Sequence, residues 1–175
     1  MFKSILFLSI FTFSYMLLSA QDQYKKFNDE GFTFLTQGKL IEAIEKYKQA
    51  LSFNPNGLDA NYGIGVCYSA ICIQNGSYCM DALDHFLKVE QLAGAYRYTF
   101  RNMSTCYIKT YQYQKAIEYS SKAIRQDSKD GESYYYRGTA KIELKQTEEG
   151  CLDLQKSHAL GFPEAKDKID SYCNK

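Results

Sequence analysis

The sequence predicts an all-α chain: four copies of a helix-turn-helix unit stacked as a solenoid and closed by a short C-terminal helix. Three observations predict it. Small residues recur in columns: Gly31, Gly65, Ser104 and Gly138; Ala43, Ala82, Ala116 and Gly150; Ala50, Val89, Ala123 and Ser157. Aligned copies lie 34 residues apart, apart from five extra residues between Tyr68 and Ala82 in the second. Only 2 Pro and 11 Gly interrupt 175 residues, so long helices are permitted.

Residues 1–20 read as a targeting segment. Lys3 gives a short positive start, and an apolar run from Ile5 to Leu18 is broken only by Ser9, Thr12, Ser14 and Tyr15. Ser19-Ala20 supplies small residues before polar Gln21-Asp22. This is the three-part layout of a secretory signal peptide, and it places the mature chain in the periplasm or outside the cell. The rival is an uncleaved inner-membrane anchor over residues 4–18, although a span needs about 20 apolar residues.

Within each copy the spacing is helical. Ala43, Ile44, Tyr47, Ala50 and Leu51 form one apolar stripe, and Ala116, Ile117, Ala123 and Ile124 repeat it. Small residues are required where two helix axes cross closely. Gly38 and Asn54-Pro55-Asn56 mark breaks, as does the stretch from Asp127 to Gly131. Aromatic residues form two further columns. Phe34, Tyr68 and Tyr107 share one, where the fourth copy has Lys141; Tyr47, Phe86 and Leu154 share the other, where the third copy has Ser120. One such copy cannot bury its own apolar face, so copies must stack. Pro163-Glu164-Ala165 opens the last helix, whose Ala165, Ile169 and Tyr172 lie on one face, as a cap requires.

These columns resemble the tetratricopeptide repeat (TPR): small, aromatic, Ala, aromatic, Ala and Pro over 34 residues. The resemblance divides the chain into copies at 24–57, 58–96, 97–130 and 131–162, with a cap at 163–175. The style of the fourth copy and cap is similar to TPR proteins exported by Bacteroidetes-type bacteria. The resemblance implies a right-handed α-solenoid whose first helices line a concave groove for a protein or peptide. Carried over by alignment, that groove contains Asn28, Phe32, Tyr62, Tyr98, Arg101, Asn102, Lys109, Tyr135, Tyr136 and Thr139. The Lys/Asn/Arg set of the carboxylate-gripping subtype is absent, since the matching positions hold Asn28, Phe32, Gly63, Tyr98 and Asn102. Tyr and Arg suit protein contacts, combining rigid area with hydrogen bonds.

Export makes the six cysteines candidates for bridges. Cys72 and Cys79 bracket the insertion, and a bond between them closes the Asn75-Gly76 turn. Cys151 begins the last repeat helix and Cys173 ends the antiparallel cap, so a second bond fastens the cap. Sequence alone does not fix connectivity. Cys67 and Cys106 share a column of small residues and read as buried packing. A metal site from Cys67, Cys72, Cys79 and His85 lacks paired Cys-x2-Cys spacing.

Chemistry is otherwise sparse. His85 and His158 are the only neutral-pH bases, and neither has a nucleophile and orienting group beside it. Phosphate-loop, dinucleotide and metalloprotease motifs are absent. The acidic residues are expected on solvated helix faces. No cofactor is implied. With 21 Lys+Arg against 20 Asp+Glu, the chain lacks the basic excess that nucleic acid demands. The sequence therefore predicts a non-catalytic binding scaffold or adaptor of the cell envelope, with no membrane insertion after signal cleavage. The alternatives are a self-associating structural protein and a thiol-redox protein using Cys72 and Cys79.

Overall fold

The structure, a computed structural model, describes the backbone of residues 2–174 and the side chains of residues 18–174. The apolar run read as a signal or anchor thus lies almost wholly outside the described side chains. The helices are α1 (Phe2–Thr36), α2 (Leu40–Phe53), α3 (Leu58–Asn75), α4 (Cys79–Ala93), α5 (Thr99–Lys109), α6 (Tyr113–Gln126), α7 (Gly131–Glu143), α8 (Thr147–Ala159) and α9 (Ala165–Tyr172). There is no strand among the described residues. The chain divides into two compact units, residues 1–67 and 68–175.

In the first unit α1 packs on α2 through small residues. Tyr47 is buried, and its ring fills the space where side chains on Gly31 and Gly63 would stand. Any Cβ at either glycine collides with that ring, so the column must be small. Ala43, Ile44, Ala50, Ala60 and Ile64 complete the core. Phe27 stacks on Phe53 at 5.8 Å, and Lys46 bonds Glu30 at 2.6 Å while lying over Phe27.

The second unit repeats the scheme along α5–α6 and α7–α8, with α9 packed on α8. A Cβ on Gly138 stands 2.8 Å from the Gly150 carbonyl, so these two backbones touch where α7 crosses α8. Ile142, Leu154 and Ala165 form the last apolar cluster, flanked by Tyr135, Ile169 and Cys173. Tyr172 is exposed, so Ala165 and Ile169 carry the cap's packing.

The departures from the aromatic columns have a common cause. In the third copy Tyr119, next to Ser120, is buried and stacks on Tyr107 at 5.3 Å. Ser120 turns its hydroxyl onto the Ala116 carbonyl. One copy later, at the positions equivalent to Tyr107 and Tyr119, stand Lys141 and Asp153. Lys141 Nζ meets Asp153 Oδ2 at 2.7 Å, and Arg137 grips both carboxylate oxygens at 2.6 and 2.8 Å. An ion pair has replaced an aromatic pair at the same helix crossing. This corrects the expectation that the acidic residues lie on solvated faces: Asp153 is 5% exposed. Its burial is tolerated because three donors from two cations satisfy it. The same two columns in the second copy hold Tyr68 and His85, whose rings lie 6.2 Å apart.

Among the described residues, Cys72 is bonded to Cys79 and Cys151 to Cys173. The first bond ties the end of α3 to the start of α4. The second ties α8 to the end of α9.

Candidate functional site

In the second unit the predicted face is built by α5 and α7, which touch directly. Tyr98 precedes α5 and is 57% exposed. The Arg101 guanidinium lies 4.3 Å from the centre of its ring. Arg101 also reaches Asp130 at 3.5 Å and Glu132 at 3.2 Å. Asp130 caps α7, accepting the Ser133 amide and hydroxyl. Glu132 accepts the Tyr136 hydroxyl at 3.0 Å. Arg101 is therefore neutralised within the molecule, and its role is to fix Tyr98 against α7. Arg101 Nε is buried with no hydrogen-bond partner.

The other predicted residues divide. Tyr135 packs edge-on to Tyr136 at 5.5 Å and against Phe162 at 5.1 Å, and its remaining surface faces solvent. Asn102 is partly exposed one helical step from Arg101. Lys109 is exposed and donates to the Ile73 carbonyl at 3.4 Å. Thr139 is buried and Tyr136 half-buried, and burial followed by the Glu132 charge pushes the Tyr136 phenol up. The Tyr135 phenol is pushed up by burial as well. Of the residues expected in the groove of this unit, Tyr98, Asn102, Lys109 and one side of Tyr135 keep surface open to solvent.

In the first unit Phe32 is 56% exposed and Tyr62 is half-buried. Asn28 Oδ1 is buried without a hydrogen-bond partner. The first unit also holds an open cleft of about 530 Å³ lined by Lys26, Asp29, Glu30, Thr33, Phe34, Gln37 and Lys46. None of the residues picked out for the groove, Asn28, Phe32 or Tyr62, lines it. The Lys46 hydrogen bond holds the Glu30 carboxyl below the usual range.

The thiols and histidines are placed by packing. Cys67 and Cys106 are unbonded and buried, and burial raises them to about 12 and about 11 respectively. Cys106 Sγ lies 3.6 Å from Ser69 Oγ. Cys72 and Cys79 are themselves buried. No group of His, Cys, Asp and Glu among the described residues has metal-binding geometry. His158 is exposed on α8.

Sequence reasoning missed Asp130 as the anchor of Arg101. Its signal was local: an Asp directly before the Gly131 that opens α7, three residues ahead of Ser133. Asp153 carried no such signal, because nothing in the sequence says that a Lys in the aromatic column will demand a buried acid.

Residues 31–71 match the family model described as TPR repeat. The solved structure of MamA 41-end from Desulfovibrio magneticus RS-1 superimposes with a TM-score of 0.71 at 20% identity, covering 86% of this chain and 88% of that one. The chain has a tetratricopeptide-repeat fold. A further MamA crystal structure gives a TM-score of 0.73 at 20% identity, over 83% of this TPR chain and 78% of that chain. YrrB, described as a TPR protein with an unusual peptide-binding site, gives 0.70 at 17% identity, over 85% and 74%. These likenesses concern the TPR fold. The residues on the face described above belong to this chain.

Proposed function

We propose that this chain is a non-catalytic binding module that holds a protein or peptide segment against the α5–α7 face. The observation that carries the proposal is the Arg101 clamp. A ring at Tyr98, more than half exposed, is held rigid by a guanidinium that is itself fixed to Asp130 and Glu132. A rigid exposed aromatic gives contact area at small entropic cost. Asn102, one turn further along α5, supplies hydrogen bonds for a ligand backbone, and Lys109 stands at the far end of the same helix. In the first unit, exposed Phe32 and half-buried Tyr62 are the expected groove residues that keep open surface.

Several features support the absence of catalysis. His85 is engaged with the Tyr68 ring. The buried Cys72–Cys79 bond ties two helices together and is poorly placed for exchange with a thiolate, which requires access. The two bonded pairs suit an oxidising compartment, and with the signal-like residues 1–20 they support an envelope or extracellular location. Among the described residues no helix is long and apolar enough to cross a membrane.

The test is a displayed-peptide selection on the disulfide-bonded chain, followed by titration of the selected peptides. Truncating Tyr98 and Tyr135 to Ala together weakens binding by at least about 2 kcal/mol if they are central contacts, while helicity stays unchanged. Equal affinity for native and variant chains rules this face out as the site.

A further inference from the structure

Two Asn–Gly pairs occur in the chain, Asn56-Gly57 and Asn75-Gly76. In an unfolded chain this dipeptide modifies itself. The glycine amide nitrogen attacks the Asn side-chain carbonyl carbon, the bond to Nδ2 breaks, and ammonia leaves carrying the amide proton. Water then opens the five-membered imide at either carbonyl, giving Asp or isoaspartate. One water is consumed, one ammonia is released, and no catalyst or oxidant is needed. The sequence gives no reason to prefer one pair over the other, since both have the unhindered glycine that the attack needs.

The structure separates them. Asn56 is exposed, but Gly57 after it is held from several sides. Gly57 is buried, and the Tyr24 ring occupies the space where its Cβ would be. Its carbonyl accepts the Asn61 backbone amide at 3.1 Å and the Asn61 Nδ2 at 2.9 Å. The Asn56 amide donates to Asn54 Oδ1 at 3.2 Å. Asn75 instead ends α3, and Gly76 opens the exposed turn to α4. Gly76 has nothing within 4 Å of where a Cβ would stand, so the backbone has room to rotate.

Asn75 Oδ1 accepts the Ser77 amide at 2.9 Å. That bond folds the side chain over the following peptide and polarises its carbonyl toward attack. The N–H bond from Gly76 to the Cys72 carbonyl at 2.8 Å has a counterpart at Gly57, whose N–H reaches the Asn54 carbonyl at 2.9 Å. The cost of breaking that bond is common to both sites and does not discriminate.

We propose that Asn75, and not Asn56, is a self-modifying site of the folded protein, converting to a carboxylate within the turn closed by Cys72 and Cys79. The new charge arises at the last residue of α3, where the helix C-terminus disfavours a negative group, so conversion loosens that helix end. The isoaspartate product also adds a backbone carbon inside the disulfide-closed ring. Aged protein thus carries a turn of altered charge and length beside exposed Ile73, Tyr78 and Met80.

The experiment incubates the full, disulfide-bonded chain in warm, mildly alkaline buffer and maps isoaspartate and acid-for-amide exchange by peptide mass spectrometry. A chain denatured and reduced beforehand serves as reference. In the folded chain, conversion at Asn75 outpaces that at Asn56 by at least about tenfold, the factor that ~1.4 kcal/mol of extra opening free energy gives. In the denatured chain the two rates converge. Asn75→Gln removes the fast-forming acidic species. Equal rates in the folded chain, or faster conversion at Asn56, overturn the proposal. So does a preference that persists undiminished in the denatured chain, because it then belongs to local sequence and not to the fold.

Discussion

At the scale of single residues, the inter-helix turns are set by the repeat and not by the residue that occupies them. Gly38, Tyr111 and Lys145 hold the same place after the first helix of their copies, and all are left-handed, with φ of 73°, 59° and 65°. Glycine adopts this conformation freely, whereas a side chain pays about 1–2 kcal/mol. Lys145→Gly relieves that strain and gives back part of it as unfolded-chain entropy. The expected outcome is a net gain of up to about 1 kcal/mol in chemical denaturation. No gain at all means the turn relaxes to suit lysine.

The buried thiols make a second prediction at this scale. An unfolded thiol ionises near pH ~8.5, but burial carries Cys106 to about 11 and Cys67 to about 12. Between those limits the unfolded chain holds fewer protons than the folded one. Stability is therefore full below the unfolded value and falls as pH rises, by about 1.4 kcal/mol per pH unit for each thiol. Replacing both by Ala flattens this part of the alkaline limb, although the loss of two buried side chains lowers the whole curve. An unchanged slope shows that the thiols do not control it. At neutral pH neither thiol is alkylated until the chain is unfolded.

Between elements, the exchange of Tyr107–Tyr119 for Lys141–Asp153 shows one crossing solved by two chemistries. Asp153→Asn leaves Arg137 and Lys141 facing each other without a counter-charge. Both cations keep 20–21% of their side-chain surface, so water recovers part of the loss, and about 2–3 kcal/mol of destabilisation is expected. The double change Lys141→Tyr with Asp153→Tyr imports the third copy's solution and is expected to cost less than Asp153→Asn. Thermal unfolding of both variants decides this, and a double variant worse than the single shows that the copies differ in backbone spacing.

The cap depends on its own fastening. Only Ala165 of α9 is fully buried, so the bond from Cys151 to Cys173 holds a helix with little core of its own. Its sequence separation is 22 residues, and Cys173→Ser is expected to cost about 3 kcal/mol. Because Tyr135 packs against the same cluster, this variant is also expected to weaken the binding proposed for the α5–α7 face. Titration with the peptides selected on the native chain reads that coupling, and full affinity in the variant removes it.

At the scale of the whole molecule, charge balance restricts the partners. With 21 basic against 20 acidic residues, and with Arg101, Lys122, Arg137 and Lys141 in internal ion pairs, the chain has almost no basic excess to offer phosphate. Duplex DNA at low salt is expected to leave the chain unbound in an anisotropy titration. Tight binding with a steep salt dependence overturns that exclusion.

The sequence by itself determined the number of copies, the helical period, the small-residue columns and the positions of the breaks. These follow from one constraint repeated along the chain: two helices crossing closely admit only small residues at fixed places. Gly31 against Tyr47 and Gly138 against Gly150 are that constraint made visible. Only the tertiary structure decided which polar residues face inward. Asp153 looked solvated, Thr139 looked available to a ligand, and Arg101 read only as a groove residue. The two charged residues depend on partners brought in from another element, Arg137 for Asp153 and Asp130 for Arg101. Periodicity reports the face a residue occupies, but not the charge it meets there. Two identical Asn–Gly pairs part for the same reason, because the Tyr24 ring beside Gly57 and the open space beside Gly76 arise only when the helices pack.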